Sequence, residues 1–137
     1  MMGYQAAGSA PIVENRIIEN PHTLATAIRI GNPASWKQAV AAYQESKGTI
    51  DKVTDDEIIE AYSLLASKEG VMAEPASAAS LAGLIKAIKE GRISDGNTII
   101  CTLTGHGLKD PDRAITVGKP PVTLPADLPQ NIKYLGY

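Results

Sequence analysis

The groups best able to do chemistry in this chain cluster in Cys101-Thr102-Leu103-Thr104-Gly105-His106-Gly107-Leu108-Lys109-Asp110. The apolar run Thr98–Leu103 lacks alternation, which predicts a strand covered on both faces. That strand stops at the hydroxyl of Thr104 and turns through Gly105 and Gly107. Open α/β sheets bind ligands just beyond the carboxyl ends of their strands. Thr104 is therefore a candidate ligand contact, and Gly105 lets backbone approach closely there. A second constellation is Glu74-Pro75-Ala76-Ser77-Ala78-Ala79-Ser80. It sets a carboxylate immediately before a helix whose first turns are small enough to pack against a sheet or a flat ligand. The plainer reading makes Glu74 a helix-start charge and the small residues a packing device.

Other reactive side chains are less informative. His106 is placed for acid–base work, yet a lone loop histidine is usually solvated. Lys109 and Asp110 suit either an anion-handling pair or a surface ion pair of little energetic consequence. His22 has no ligand partners nearby in sequence, so the metal case is weak. Gly105-His106-Gly107 is only a G-x-G and lacks the spacing of a dinucleotide fingerprint. Cys101, the single cysteine, is flanked by Ile99, Ile100 and Leu103 and reads as a buried small hydrophobe.

Three helices must position these groups. The first is capped by Asn32, opens at Pro33, carries Trp36, Ala39, Val40 and Tyr43 on one face, and closes at Gly48. The second begins with the capping box Thr54-Asp55-Asp56-Glu57, buries Ile58, Ile59, Tyr62, Leu65 and Ala66, and ends at Gly70. The third runs from Pro75 to Gly91 with Leu81, Leu84, Ile85 and Ile88 at helical spacing. A short strand over Val71–Glu74 and the Thr98–Leu103 strand would make the third helix the crossover of a right-handed β-α-β unit. Glu74 and Thr104 would then meet at one sheet edge. Pro11–Ile18 is expected as a short strand or extended loop, Pro21–Ile30 is ambiguous, and Met1–Pro11 looks like the end of an element. Residues 1–116 form the α/β portion, and 117–137, with Pro120, Pro121, Pro125 and Pro129, form an extended or looping tail.

Composition sets the bounds. The 137 residues are 44% apolar and 20% charged, as in a soluble single domain. A net charge of −2 gives no basic footprint for nucleic acid. No apolar run approaches membrane-spanning length, and cytoplasm is the default compartment. With Phe absent, the core must be built from Ala, Ile, Leu and Val.

Three segments resemble threonine synthase, and they occur in that family's order. They are Ala25-Thr26-Ala27-Ile28-Arg29-Ile30-Gly31-Asn32-Pro33-Ala34-Ser35-Trp36, the Glu74–Ser80 motif, and Thr102–Asp110. Met2–Gly8 is similar to the lead-in of the first. The resemblance covers the C-terminal portion of that enzyme only, up to about Ile115. It implies an incomplete, layered parallel sheet flanked by helices, part of the tryptophan synthase β-like class of pyridoxal-phosphate enzymes. It also implies conversion of O-phospho-L-homoserine and water to L-threonine and phosphate in the full-length parent. By the same resemblance Thr104 meets the pyridine nitrogen of pyridoxal 5'-phosphate, Gly105 follows it, and Glu74 lies near the same ring.

The departures have consequences. The family's cofactor-binding lysine precedes all three segments, and no lysine here stands in that setting. Its glycine-rich phosphate loop is not found either. The expectation is a chain that alone neither holds the cofactor stably nor turns over. Its exposed edges predict a homo-oligomer, with strand exchange between copies as one route. The alternatives are a part of a related threonine or serine dehydratase, or a non-catalytic binding module of the same fold.

Overall fold

A computed structural model describes residues 1–137. Its sheet has two strands, β1 (Met2–Ala6) and β2 (Thr49–Val53). They run parallel, in register from Met2 opposite Thr49 to Ala6 opposite Val53. Parallel strands need a long connection. Here it contains α1 (Pro11–Glu14), a single 3-10 turn at Thr26–Ile28 and α2 (Trp36–Glu45). After β2 come α3 (Asp55–Glu69) and α4 (Pro75–Lys89), which pack on each other, with α4 also lying across both strands.

Alanine sets the spacing of these layers. Ala61 on α3 and Ala76, Ala78, Ala79 and Ala82 on α4 are buried in one cluster with Val53, Ile58, Tyr62 and Leu65. Gly83 continues the small stripe. A Cβ there would overlap the ring of Tyr4, so the missing side chain is what lets β1 sit on α4. Charge reinforces the contact: Asp51 on β2 pairs with Lys86 at 3.1 Å and with Arg92 at 2.9 Å. Partial burial pushes the Asp51 carboxyl up. The Lys52 amide and the Lys86 and Arg92 charges outweigh burial and hold it below the ordinary carboxylate range.

Helix ends follow local chemistry. Thr54 Oγ1 accepts from the Glu57 N–H at 3.2 Å while the Glu57 carboxylate accepts from the Thr54 N–H at 2.7 Å, the full capping box. Gly70, with φ 67°, closes α3 in the left-handed conformation that favours glycine. The first predicted helix starts later than expected: α2 begins at Trp36 after Ser35, and Asn32 is not its cap. Gly31 is held against Ile18, whose N–H donates to the Gly31 carbonyl at 3.0 Å. The chain there must turn before it can coil.

Four further expectations are corrected. Thr98–Leu103 is not a strand: none of its backbone groups joins a backbone–backbone hydrogen bond, and Ile100 is 89% exposed. A strand needs a neighbour, and no segment of this chain pairs with it. Val71–Glu74 forms only an isolated antiparallel bridge, Ala73 to His106, so the β-α-β unit around α4 is left open. Pro11–Glu14 is a helical turn, because Pro11 suits a first helical position and the Gln5 side chain accepts from the Ile12 and Val13 N–H groups. α5 (Pro111–Val117) leads into the tail, which contains α6 (Leu128–Tyr134) rather than extended chain alone. Pro111 and Pro129 open these helices, and the Asp127 carboxylate caps the second at 2.9 Å.

Candidate functional site

The start of α4 and the loop after Leu103 are knitted together by main-chain and serine hydrogen bonds. The Glu74 N–H donates to the Gly105 carbonyl at 2.9 Å, and the Gly107 N–H donates to the Met72 carbonyl at 2.9 Å. Ser77, 2% exposed, stands at the centre. Its Oγ accepts from the Gly105 N–H at 2.7 Å, donates to the Gly105 carbonyl at 3.1 Å, and lies 3.2 Å from Thr104 Oγ1. One turn on, Ser80 donates to the Thr102 carbonyl at 3.2 Å. The serines of the small-residue motif therefore fix the loop that carries Thr104.

This brings Glu74 and Thr104 to one place, by a different route from the strand edge read from the sequence. Glu74 precedes α4 in extended geometry and makes no side-chain cap. It is 5% exposed, yet its carboxylate has no hydrogen-bond or ion-pair partner in the chain. The helix-start reading thus accounts for its position but not for its burial. The fully buried unpartnered side-chain atoms are Arg113 Nε and Asn131 Oδ1, so the Glu74 oxygens keep access to solvent and stand as a free acceptor beside Thr104. Gly105 faces it: a Cβ at Gly105 would overlap the Glu74 carboxylate. Thr104 is exposed, so its hydroxyl is accessible from outside. Beside these groups is a cavity of about 270 Å³ lined by Val71, Met72, Ala73, Leu103, Thr104, Gly105 and His106, with no lysine among them.

The remaining candidates divide. His106 is exposed, and its Nδ1 accepts from the Leu108 N–H at 3.1 Å, so the ring starts the 3-10 turn at Gly107–Lys109. Lys109 and Asp110 form no ion pair with each other, correcting that expectation. Asp110 instead accepts from Thr26 Oγ1 at 3.2 Å, which ties the first resemblance segment to the third. His22 joins no cluster of metal-ligating side chains. Cys101 is half-buried rather than buried, and that burial pushes its thiol pKa up.

Two contributors escape a reading of the sequence. The pattern marks Ser77 as merely small, though a serine in the first turn of an alanine-rich helix is the available signal. It marks Asp55 as a dipole charge. Asp55 also clamps the connection to α3, accepting from Thr23 Oγ1 at 2.5 Å and from the Leu24 N–H at 3.0 Å.

Comparison with known proteins decides the family. The pyridoxal-phosphate-dependent enzyme family matches residues 1–105, which takes in β1, α4 and the Thr104–Gly105 loop. The chain belongs to it. Threonine synthase of Halalkalibacterium halodurans is 60% identical over 128 residues, covering 93% of this chain and 36% of the relative. That of Mycobacterium leprae is 52% identical over 136 residues, covering 99% and 38%. The chain thus spans little more than a third of the length of the curated relatives it matches. Among solved structures, a fungal L-serine ammonia-lyase from Rhizomucor miehei superimposes with a TM-score of 0.58 at 17% identity, covering 84% of this chain and 40% of that one. A threonine deaminase from T.th. gives 0.54 at 19% identity, covering 74% and 41%. These likenesses show a shared α/β fold.

The residues present fit one side of a pyridoxal phosphate. A neutral hydroxyl at Thr104 and an unpartnered Glu74 carboxylate, seated where a Gly105 Cβ would be, converge within two adjoining segments.

Proposed function

We propose that this chain supplies one wall of the cofactor site of a threonine synthase, an activity converting O-phospho-L-homoserine and water to L-threonine and phosphate. The observation that carries the reading is the serine-organised loop that presents Thr104 beside an unpartnered Glu74 carboxylate. The similarity at 60% identity to threonine synthase weighs for that chemistry. The dehydratase-like structures, at 17% and 19%, speak to fold alone.

When bound, pyridoxal phosphate supplies an electron sink to the amino-acid substrate. The chain's own residues then have distinct tasks. Thr104 and Ser77 share one short hydroxyl contact in which either oxygen can donate. Ser77 has one hydroxyl proton for the Gly105 carbonyl and Thr104 Oγ1; with that proton given to Thr104, the Thr104 proton would be free to point outward toward the ring nitrogen of a bound cofactor. A neutral hydroxyl there would not hold that nitrogen protonated as a carboxylate would, a role suited to elimination and replacement chemistry. Gly105 makes room for the Glu74 carboxylate, which would offer an acceptor beside the hydroxyl of Thr104.

Alone, the chain is proposed not to hold the cofactor stably and not to turn over, because the lysine and phosphate cradle of the family are not found among its residues. It is further proposed to be cytoplasmic, to act through residues 1–116 with 117–137 as an accessory tail, and to self-associate through exposed apolar surface. No helix is long and apolar enough to cross a membrane. Phosphate release from phosphohomoserine is the test. None is expected from the chain alone with added pyridoxal phosphate. Release by the isolated chain would refute the assignment of a single wall.

A further inference from the structure

The turn that follows the Thr104 loop is held mainly by hydrogen bonds, and one of them comes from a titratable side chain. His106 Nδ1 accepts from the Leu108 N–H at 3.1 Å and so caps the 3-10 turn Gly107–Lys109. Inside the turn the Lys109 N–H donates to the His106 carbonyl at 3.0 Å, and the Asp110 N–H donates to the Gly107 carbonyl at 3.1 Å. Gly107 anchors one end, buried where a Cβ would overlap the Met72 side chain. Packing adds little beyond that point, because Leu108 is 71% exposed and Lys109 is exposed too.

The turn delivers Asp110, whose carboxylate accepts from Thr26 Oγ1 at 3.2 Å across 84 residues of sequence. On its other side, the Ala73–His106 bridge joins the same histidine to the segment that leads into α4. A backbone N–H only donates, so the cap needs an unprotonated Nδ1. An imidazolium carries protons on both nitrogens and accepts at neither. Histidine is the side chain that ordinarily changes charge between about pH 5 and 8. The charged groups on the surrounding elements are Glu74 beside the bridge, Lys109 and Asp110 on the turn, Asp112 and Arg113 on α5, and Arg29 after the Thr26 turn. Their charges act on an imidazolium with opposite signs. Whichever prevails, a protonated ring leaves the Leu108 N–H without its cap.

We propose that His106 is a positioning residue for the Thr104 loop: its neutral ring holds the Gly107–Lys109 turn, and protonation loosens that turn together with the contact from Asp110 to Thr26. The latch itself rests on hydrogen bonds alone. Its meaning for the site, that the wall carrying Thr104 is ordered at neutral pH and slackens in mild acid, rests on the function proposed above. Asparagine at the same place separates the two properties of the ring. Its side-chain oxygen is a good helix-start acceptor, and it does not titrate.

The experiment follows the full chain by NMR from about pH 8 to about pH 5, a window above the ordinary carboxylate range. Amide exchange is expressed as protection relative to an unstructured peptide at the same pH. In the parent, protection at Leu108 and Asp110 should fall about fivefold across the window, with the midpoint of the His106 ring resonances. The Thr26 methyl resonance should move with that midpoint, while amides in the core of α3 keep their protection. His106→Asn should hold its protection across the window to within about twofold, and His106→Ala should show the lowered value at both ends. His22→Gln should titrate as the parent does. Level protection while the His106 ring titrates, or the same fall in His106→Asn, overturns the proposal. So does parent-like protection in His106→Ala at the alkaline end, or a fall abolished by His22→Gln. No cofactor enters these measurements, so a failed threonine synthase reading leaves the latch standing, and a failed latch leaves that reading to its own test by phosphate release.

Discussion

Replacing Ser77 by alanine tests whether one buried hydroxyl organises the loop that carries Thr104. The substitution deletes three contacts: the bond from the Gly105 N–H at 2.7 Å, the bond to the Gly105 carbonyl at 3.1 Å, and the shared contact with Thr104 at 3.2 Å. The first matters most. It is the shortest, and losing it leaves a donor facing a methyl group. A buried donor left unpaired costs about 1–3 kcal/mol, and an ordinary bond is worth about 0.5–1.5 kcal/mol. Gly105 is half-buried and Thr104 exposed, so water relieves part of both losses. Alanine also recovers a few tenths of a kcal/mol of helix propensity, on the order of 0.5 at most. The expected net loss is about 1–3 kcal/mol, read as a lowered urea midpoint with an unchanged slope. Exchange at the Gly105 amide should accelerate more than exchange in the core of α3. A variant within about 0.5 kcal/mol of the parent, with Gly105 protection intact, would refute the reasoning.

Other outcomes follow from the same geometry. Gly83→Ala places a Cβ in the Tyr4 ring and should cost about 1–3 kcal/mol by overpacking, measured by denaturant unfolding; a neutral result would mean that β1 is free to shift off α4. Asp51 has a depressed carboxyl pKa, so its stabilisation is complete above the unfolded value of about 3.9 and is lost as pH falls through the lower folded value. Asp51→Asn should therefore be less stable than the parent at neutral pH and show a shallower loss of stability below about pH 4, as read from urea midpoints against pH. Burial raises the Cys101 thiol pKa, so alkylation by iodoacetamide should be slower than for free cysteine at neutral pH and should accelerate on denaturation; equal rates in both states would contradict the packing described.

Much of the molecule was legible locally. The capping box at Thr54, the glycine stop at Gly70 and the Pro75 start of α4 are short-range chemistry, written in adjacent residues and realised at the expected positions. The closeness of Glu74 and Thr104 was legible too, although the inferred reason, two strands ending at one sheet edge, is not the one that operates. The last two helices were obscured by prolines, which mark both loops and first helical turns.

What the chain's order of residues determined by itself is which segments coil, where they stop, and which small residues allow close layers. Tertiary structure decided the rest. Whether Thr98–Leu103 becomes a strand depends on a neighbour, because a strand's hydrogen bonds lie outside its own segment while a helix keeps its bonds within. The role of Ser77 was hidden for the same reason: its partners lie 27 and 28 residues away, brought to it only by the fold.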